Sequence, residues 1–161
     1  MILYFMRHGR AEHHFEGPDA QRELTKRGRQ ELEGAGPVWR RLKLRPEVII
    51  TSPHVRAVQT AEIAQAALDV KTAPTTDDRL SPGATWAEMG QAMADHHQAA
   101  RVMFVGHNPD FETAIEVLSG GAAVRLRPGG VACLEFPGVP EPGQGEVAWL
   151  LDPDLYLDEG A

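Results

Sequence analysis

The chain has 161 residues, and its 16 basic and 23 acidic side chains leave a net charge of −7 at neutral pH. Hydrophobic residues make up 42% and charged residues 24% of the chain, a composition that argues against an intrinsically disordered protein. The acidic balance argues against a general nucleic-acid-binding protein, which needs a basic face to contact phosphates.

Cysteine usage and hydropathy narrow the class of protein further. The single cysteine, Cys133, excludes an internal disulfide and a multi-cysteine zinc site, and its apolar neighbours predict a buried side chain. The apolar start, residues 1–6, is too short for a signal peptide, and no stretch approaches the ~20 apolar residues of a membrane span. We therefore expect a cytoplasmic protein with a single domain over residues 1–161 and no membrane partner.

The first quarter of the chain predicts a strand, a loop and a helix. The apolar run at residues 2–6 is typical of a strand that is covered on both faces, and the polar stretch at 9–23 predicts a long loop. Thr25 is a predicted N-cap for a helix whose apolar residues recur at spacings of three and four. The glycines and the proline at positions 34–37 predict a kink or a break in that helix.

The rest of the chain continues the alternation of strands and helices. The middle of the sequence predicts a strand at 48–50 and a helix from Pro53 to about Leu68. A short edge strand at 70–73, a loop at 74–83 and a helix at 84–98 are predicted to follow. The remainder predicts a strand at 102–105, a helix that begins at Pro109 and ends at Gly120, and β-like runs at 131–136 and 146–151 after a weaker one at 122–126. The predicted fold is α/β in three layers, with a mainly parallel central sheet flanked by helices and antiparallel C-terminal strands.

Four unusual side chains follow three predicted strands. Arg7 and His8 come directly after the first strand, Arg56 follows the second, and His107 follows the third. The carboxyl ends of parallel strands lie at one edge of a sheet, so these residues are expected to meet there. Two guanidinium groups repel cations but match phosphate oxygens, and imidazoles serve as nucleophiles or as donors. The set therefore predicts a site for a phosphoryl group rather than for a metal.

Neighbouring polar residues and glycines are candidates for the rim of this site: Gly9, Ser52, His54 and Asn108. Gly9 would let the backbone approach a ligand closely. The adjacent histidine pairs at 13–14 and 96–97 are more typical of solvated side chains, because two ligands on one helical face need a spacing of three or four.

At these residues the sequence resembles the histidine phosphatase superfamily, also called phosphoglycerate mutase-like. Four blocks carry the resemblance in consistent order between residue 1 and about residue 120: Arg7-His8-Gly9, Leu24-Thr25 with Gly28, Ser52-Pro53-His54-Val55-Arg56 through Ala61, and Val105-Gly106-His107-Asn108-Pro109. The resemblance implies a phosphoglycerate mutase-like fold and a metal-independent phosphatase without a cofactor. It implies that His8 is the nucleophile, which forms a phosphohistidine intermediate, and that Arg7, Arg56 and His107 bind the phosphoryl oxygens.

Two departures from the larger members of the family narrow the subgroup. Only 46 residues separate Thr60 from His107, which leaves no room for an inserted cap, so the pocket should be open. Asp77, Asp78 and Glu88 are available as a proton donor, but none has a convincing context. An open pocket without an obvious acid resembles the short phosphohistidine phosphatases, because the ring of phosphohistidine can take its proton from solvent whereas an ester needs an acid more.

The sequence therefore favours a phosphatase that acts on phosphohistidine in a partner protein. A general phosphomonoesterase for small sugar or nucleotide phosphates is the main alternative, and a carboxylate from residues 77–88 close to His8 would favour it. A non-catalytic module that binds phosphate is a remote alternative, and a His8 ring turned away from the other three residues would favour it. No nucleic-acid partner is expected, and the sequence makes no prediction of the oligomeric state.

Overall fold

The computed structural model describes residues 1–157, which contain one six-stranded sheet. The strands are Ile2–Arg7 (β1), Val48–Thr51 (β2), Thr75–Thr76 (β3), Arg101–Gly106 (β4), Val131–Glu135 (β5) and Glu146–Leu151 (β6). Their order across the sheet is β3-β2-β4-β1-β5-β6. The first four are parallel, whereas β5 and β6 are antiparallel to their neighbours. The predicted α/β class, with antiparallel strands at the C-terminal end, is confirmed.

Helices cover both faces of the sheet. They are Lys26–Arg41 (α1), Val55–Leu68 (α2), Trp86–Ala94 (α3) and Asp110–Ser119 (α4). Side chains alternate along β1, so Leu3 and Phe5 pack with the residues of α3 and α4, and Tyr4 and Met6 pack with those of α1 and α2. The sheet, with a helical layer packed through a hydrophobic cluster on each face, makes the three layers. The buried Cys133 belongs to the cluster that contains Tyr4 and Met6.

Helix α1 begins at the predicted cap but passes through the predicted break. The side chain of Thr25 accepts a hydrogen bond from the Gly28 N–H at 2.9 Å, which confirms the N-cap. The helix then continues through Pro37 to Arg41, so a break is wrong, whereas the alternative of a kink stays a prediction. Pro37 and Glu33 are exposed, so water can bind the Glu33 carbonyl that loses its helical partner, while Trp39, two residues after the proline, is buried.

Four other sequence-based predictions are corrected. The edge strand is Thr75–Thr76 rather than 70–73, because Thr75 and Thr76 pair with Ile50 and Thr51 while the chain at Val70 still closes α2 through a hydrogen bond to the Gln65 carbonyl. The weak run at 122–126 forms no strand. Two predicted helices are shorter than expected: α2 begins after its N-cap His54, and α3 spans Trp86–Ala94 because a capping box on Thr85 sets its start.

None of the helices in the described part of the chain is long and apolar enough to span a membrane. A cytoplasmic location stays a prediction.

Two glycines of α1 give opposite predictions for stability. A Cβ at Gly28 would overlap the backbone carbonyl oxygen of Arg10, which cannot move without shifting the loop, so Gly28→Ala should destabilise the fold by roughly 1–3 kcal/mol. A Cβ at Gly34 would lie 3.6 Å from the nearest side-chain atom, in ordinary contact, so Gly34→Ala should stabilise the helix by roughly 0.5–1 kcal/mol. Urea unfolding of both variants checks the pair; equal effects would contradict the contact at Arg10.

Candidate active site

The parallel strands bring the four predicted residues to one edge of the sheet. Arg7 is the last residue of β1, His107 follows β4, and Arg56 lies in the first turn of α2, just after β2. The backbone ladder extends past the strands, since the His8 N–H donates to the Gly106 carbonyl at 3.0 Å. The rings of His8 and His107 pack edge to face with their centres 5.3 Å apart.

A cavity of about 290 Å³ opens at this edge, and all four side chains line it. The loop at 9–23 and the segments around Pro82 and Pro128 supply the rest of the wall. A larger concavity of about 470 Å³, lined by Glu47 and residues 95–99 among others, is lined by none of the predicted site residues.

The hydrogen bonds of the His8 ring determine which of its nitrogens carries the proton and which holds the lone pair. Nδ1 lies 2.7 Å from the carbonyl oxygen of Gly9, which can only accept, so Nδ1 carries the proton. Nε2 then holds a lone pair, and the Arg56 Nε–H donates to it at 3.3 Å. Burial lowers the pKa of His8 to about 4, with further lowering by the charges of Arg56 and Arg7 and an opposing effect of the Gly9 carbonyl. His8 is therefore neutral at neutral pH and presents a lone pair.

His107 is more deeply buried than His8, with 4% of its surface exposed. Its Nε2 lies 2.8 Å from the hydroxyl oxygen of Ser52, so Nδ1 is the ring nitrogen that remains for a ligand. Burial lowers the pKa of His107 to about 3, and the neighbouring His8 and Arg56 lower it further. Like His8, this ring is neutral at neutral pH.

The two arginines supply fixed positive charge. Arg7 donates through one terminal nitrogen to the Leu126 carbonyl at 3.1 Å, while its Nε is buried without a partner among the described residues. The end of the Arg56 guanidinium is held by Asp19, whose backbone oxygen and carboxylate accept from its two terminal nitrogens at 2.8 and 3.0 Å. These two hydrogen bonds to Asp19, called the Asp19 clamp below, orient the guanidinium so that its Nε edge faces His8.

Asp19 was missed by the sequence reasoning. It begins a short 3₁₀ turn, Asp19–Gln21, within the loop at 9–23, and its carboxylate also pairs with Arg22 at 3.2 Å. Burial raises the pKa of Asp19, but the hydrogen bond and charge of Arg56 and the charge of Arg22 outweigh that effect, so its pKa lies below the usual range. Nothing in the spacing of the sequence relates Asp19 to Arg56, which lies 37 positions away.

Two of the four predicted rim residues line the cavity, and the other two lie behind His107 or beside it. Gly9 and Asn108 line the cavity, whereas Ser52 is fully buried beneath His107 and the ring of His54 packs against His107 at 5.1 Å. A Cβ at Gly9 would lie 2.8 Å from a methyl carbon of Leu32, so the glycine is needed for packing against α1.

Side chains of the loop at 9–23 make a larger part of the wall than the sequence suggested. His13, predicted to be solvated, is exposed but lines the cavity, and Arg10 and Arg22 line it as well. The length of this loop was the available signal, because long loops in compact domains are often functional.

The three carboxylates considered as proton donors lie outside the cavity lining. Asp77 forms an ion pair with Arg79, Glu88 completes the capping box of α3, and Asp78 is exposed in a 3₁₀ turn. Among the residues that line the cavity, Asp19 is the one carboxylate, and its oxygens already accept from two arginines.

Taken together, the side chains of the cavity suit a dianion. They offer four permanent cations, those of Arg7 and Arg56 with Arg10 and Arg22 of the loop, together with an orphaned buried donor on Arg7 and the neutral imidazoles of His8 and His107. A lone pair on His8 beside preorganised donors is the arrangement that in-line attack on a phosphoryl group requires.

Comparison with known proteins identifies similar chains. The model of the histidine phosphatase superfamily (branch 1) matches residues 3–124. An uncharacterized protein of Picosynechococcus sp. is 34% identical over 167 residues, which cover 98% of this chain and 94% of that protein. The solved structure of the protein histidine phosphatase SixA complexed with tungstate superposes with a TM-score of 0.85 at 23% identity, covering 96% of this chain and 99% of that one. The solved structure of the alpha-ribazole phosphatase from Shigella flexneri superposes with a TM-score of 0.71 at 15% identity, covering 95% of this chain and 97% of that one.

The two neutral histidines predict how stability depends on pH. Their pKa values are lowered in the folded chain, to about 4 for His8 and about 3 for His107, against 6.5 in the unfolded chain. Between pH 6.5 and pH 4 the unfolded chain binds more protons, so the free energy of unfolding falls as the pH falls through that window. Urea unfolding at several pH values should show a shallower fall for His107→Asn than for the wild type. The exposed His97→Gln is the control; parallel curves for His107→Asn and the wild type would contradict the prediction.

Proposed function

This chain belongs to branch 1 of the histidine phosphatase superfamily and is a phosphatase, and we propose that it removes phosphoryl groups from phosphohistidine in a partner protein. The proposed reaction has two steps and a covalent phosphohistidine intermediate on His8. The observation that carries it is a cavity rich in cations and histidines whose one carboxylate is held ionised by two arginines.

In the first step Nε2 of His8 attacks phosphorus. The N–P bond to His8 forms as the P–N bond of the substrate breaks, and the leaving imidazole takes a proton from solvent. Nε2 is suited to attack because Nδ1 donates to Gly9 and the lowered pKa keeps the ring neutral. In the second step water attacks phosphorus, releases inorganic phosphate and a proton, and restores the lone pair of His8.

Arg7, Arg56 and His107 are proposed to bind the equatorial oxygens of the phosphoryl group. Phosphoryl transfer depends mainly on positioning and on a preorganised positive field, since little other covalent chemistry is needed. The Nε–H of Arg56 donates to the lone pair of His8 and becomes free when that lone pair attacks phosphorus. Arg7 has a buried Nε–H without an acceptor among the described residues, so both arginines would have a donor for a phosphoryl oxygen. These two charges would serve the role that a metal ion has in other phosphatases.

The leaving group decides between the substrate classes. An alkoxide needs a proton from the enzyme, whereas the imidazole of phosphohistidine can be protonated by solvent before it leaves. Asp19, with its lowered pKa, is ionised at neutral pH and has no proton to give. The SixA structure is that of a protein histidine phosphatase, which supports the same class of substrate for a chain of nearly equal length.

A general phosphomonoesterase remains the second candidate. The alpha-ribazole phosphatase of similar fold acts on a small molecule, and the Asp19 carboxylate lines the cavity with 59% of its side chain exposed. Binding without turnover is less well supported, because Nε2 of His8 faces Arg56 rather than turning away from it.

Phosphate release from a phosphohistidine-bearing protein tests the proposal. In the presence of a chelator, wild-type protein should release phosphate and leave a transient phosphoprotein that is stable to base and labile to acid. His8→Ala should lose at least about 1,000-fold in rate, because the covalent route is removed. His14→Ala, an exposed histidine of the same loop, is the matched control. Turnover that survives in His8→Ala would refute the covalent mechanism, and a preference for esters would refute the substrate class.

Asp19→Asn separates the two candidate substrate classes. The amide keeps an oxygen that accepts from Arg56 but cannot donate a carboxylic proton, so the proposal expects kcat/KM to change by the same factor, within about fivefold, for phosphohistidine and for an alkyl phosphate. If Asp19 were the proton donor of an esterase, the variant would lose the alkyl ester selectively and retain an aryl ester, whose leaving group needs no acid. Steady-state kinetics on the three substrates distinguish these results.

A further inference from the structure

Ser52 lies directly beneath His107 at the end of β2. Its side chain is fully buried, and its hydroxyl oxygen is 2.8 Å from Nε2 of His107. The backbone N–H of His54 also points to this oxygen and donates to it at 3.2 Å. The hydroxyl therefore lies between a backbone donor on one side and an imidazole nitrogen on the other.

The direction of the bond to His107 follows from the hydrogens available. A serine hydroxyl has one hydrogen and two lone pairs, and the His54 N–H occupies one lone pair. A buried hydroxyl hydrogen costs free energy unless it finds an acceptor. Among residues 1–157, Nε2 of His107 is the one acceptor in hydrogen-bond reach of this oxygen. The hydroxyl consequently donates to Nε2, and the proton of the neutral ring is on Nδ1.

The same tautomer gives His8 and His107 opposite roles. His8 directs its Nδ1–H into the carbonyl of Gly9, which leaves a lone pair on Nε2 for the cavity. His107 directs its Nε2 lone pair to the hydroxyl of Ser52, which leaves the Nδ1–H for the cavity. A lone pair of His107 in that place would repel a dianion, whereas an N–H donates to it.

We propose that Ser52 is a positioning residue that holds His107 in the Nδ1–H tautomer, so that a neutral imidazole donates a hydrogen bond to a phosphoryl oxygen. This inference rests on the proposed function only for the identity of the anion. The lowered pKa of His107 agrees with it, because a protonated ring would carry an N–H on both nitrogens and would need no such control.

Nitrogen-15 NMR of the imidazole rings tests the inference without any assay of activity. In the wild-type protein at neutral pH, Nδ1 of His107 should have the shift of a protonated ring nitrogen and Nε2 that of an unprotonated one; the loss of both signals in His107→Asn assigns them. A wild-type ring with its proton on Nε2 overturns the inference, and this measurement needs no variant at Ser52.

Ser52→Ala and a matched control provide the second measurement. Thr51→Val removes the neighbouring hydroxyl, which is equally buried and donates to the backbone oxygen of Ser52 rather than to His107. Ser52→Ala should move the proton of His107 toward Nε2 and weaken tungstate binding roughly 10- to 100-fold, the effect of losing one hydrogen bond to a charged group. Thr51→Val should leave both the tautomer and tungstate binding within about threefold of wild type.

The two proposals fail in different ways. An unchanged tautomer in Ser52→Ala, or an equal loss of tungstate affinity in Thr51→Val, assigns Ser52 a merely structural role and overturns the inference. The expected tautomer and the expected loss of tungstate affinity, without turnover of phosphohistidine in the wild type, support the inference and refute the proposed substrate.

Discussion

Strand β4 pairs in parallel with β1 on one side and with β2 on the other, and the geometry of the cavity depends on that pairing. It brings three strand ends to one edge of the sheet, where Arg7, His8, Arg56 and His107 meet although they are spread over a hundred positions. The two hydrophobic clusters on either face hold the strands in register, because a slip by one residue would move Phe5 and Met6 to the wrong faces.

The proposed chemistry needs both histidines of the site to be neutral. Burial and the neighbouring arginines keep them so, since each disfavours the charged form of an imidazole and lowers its pKa. Neutral rings then need defined tautomers, which a carbonyl supplies to His8 and a hydroxyl is proposed to supply to His107. The proposed nucleophile and the proposed donor are thus the same residue type and differ in the partner on the far side of each ring.

Local signals in the sequence predicted elements well where a single physical rule decided them. Thr25 caps α1 because its side chain reaches an N–H three residues on, and Gly120 ends α4 because it adopts a left-handed conformation. Predictions failed where a distant partner decided. The edge strand formed at Thr75–Thr76, which is exposed and polar, because β2 offers its backbone there rather than at residues 70–73.

The sequence by itself determined the fold class and pointed to Arg7, His8, Arg56 and His107 among the residues that line the cavity, because buried strands are continuous apolar runs and site residues follow their carboxyl ends. Tertiary structure alone decided the Asp19 clamp on Arg56, the wall made by the loop at 9–23, and the position of Ser52 under His107. Each of these joins residues that are far apart in the chain, and a hydrogen bond depends on distances of a few ångströms that composition and spacing do not encode.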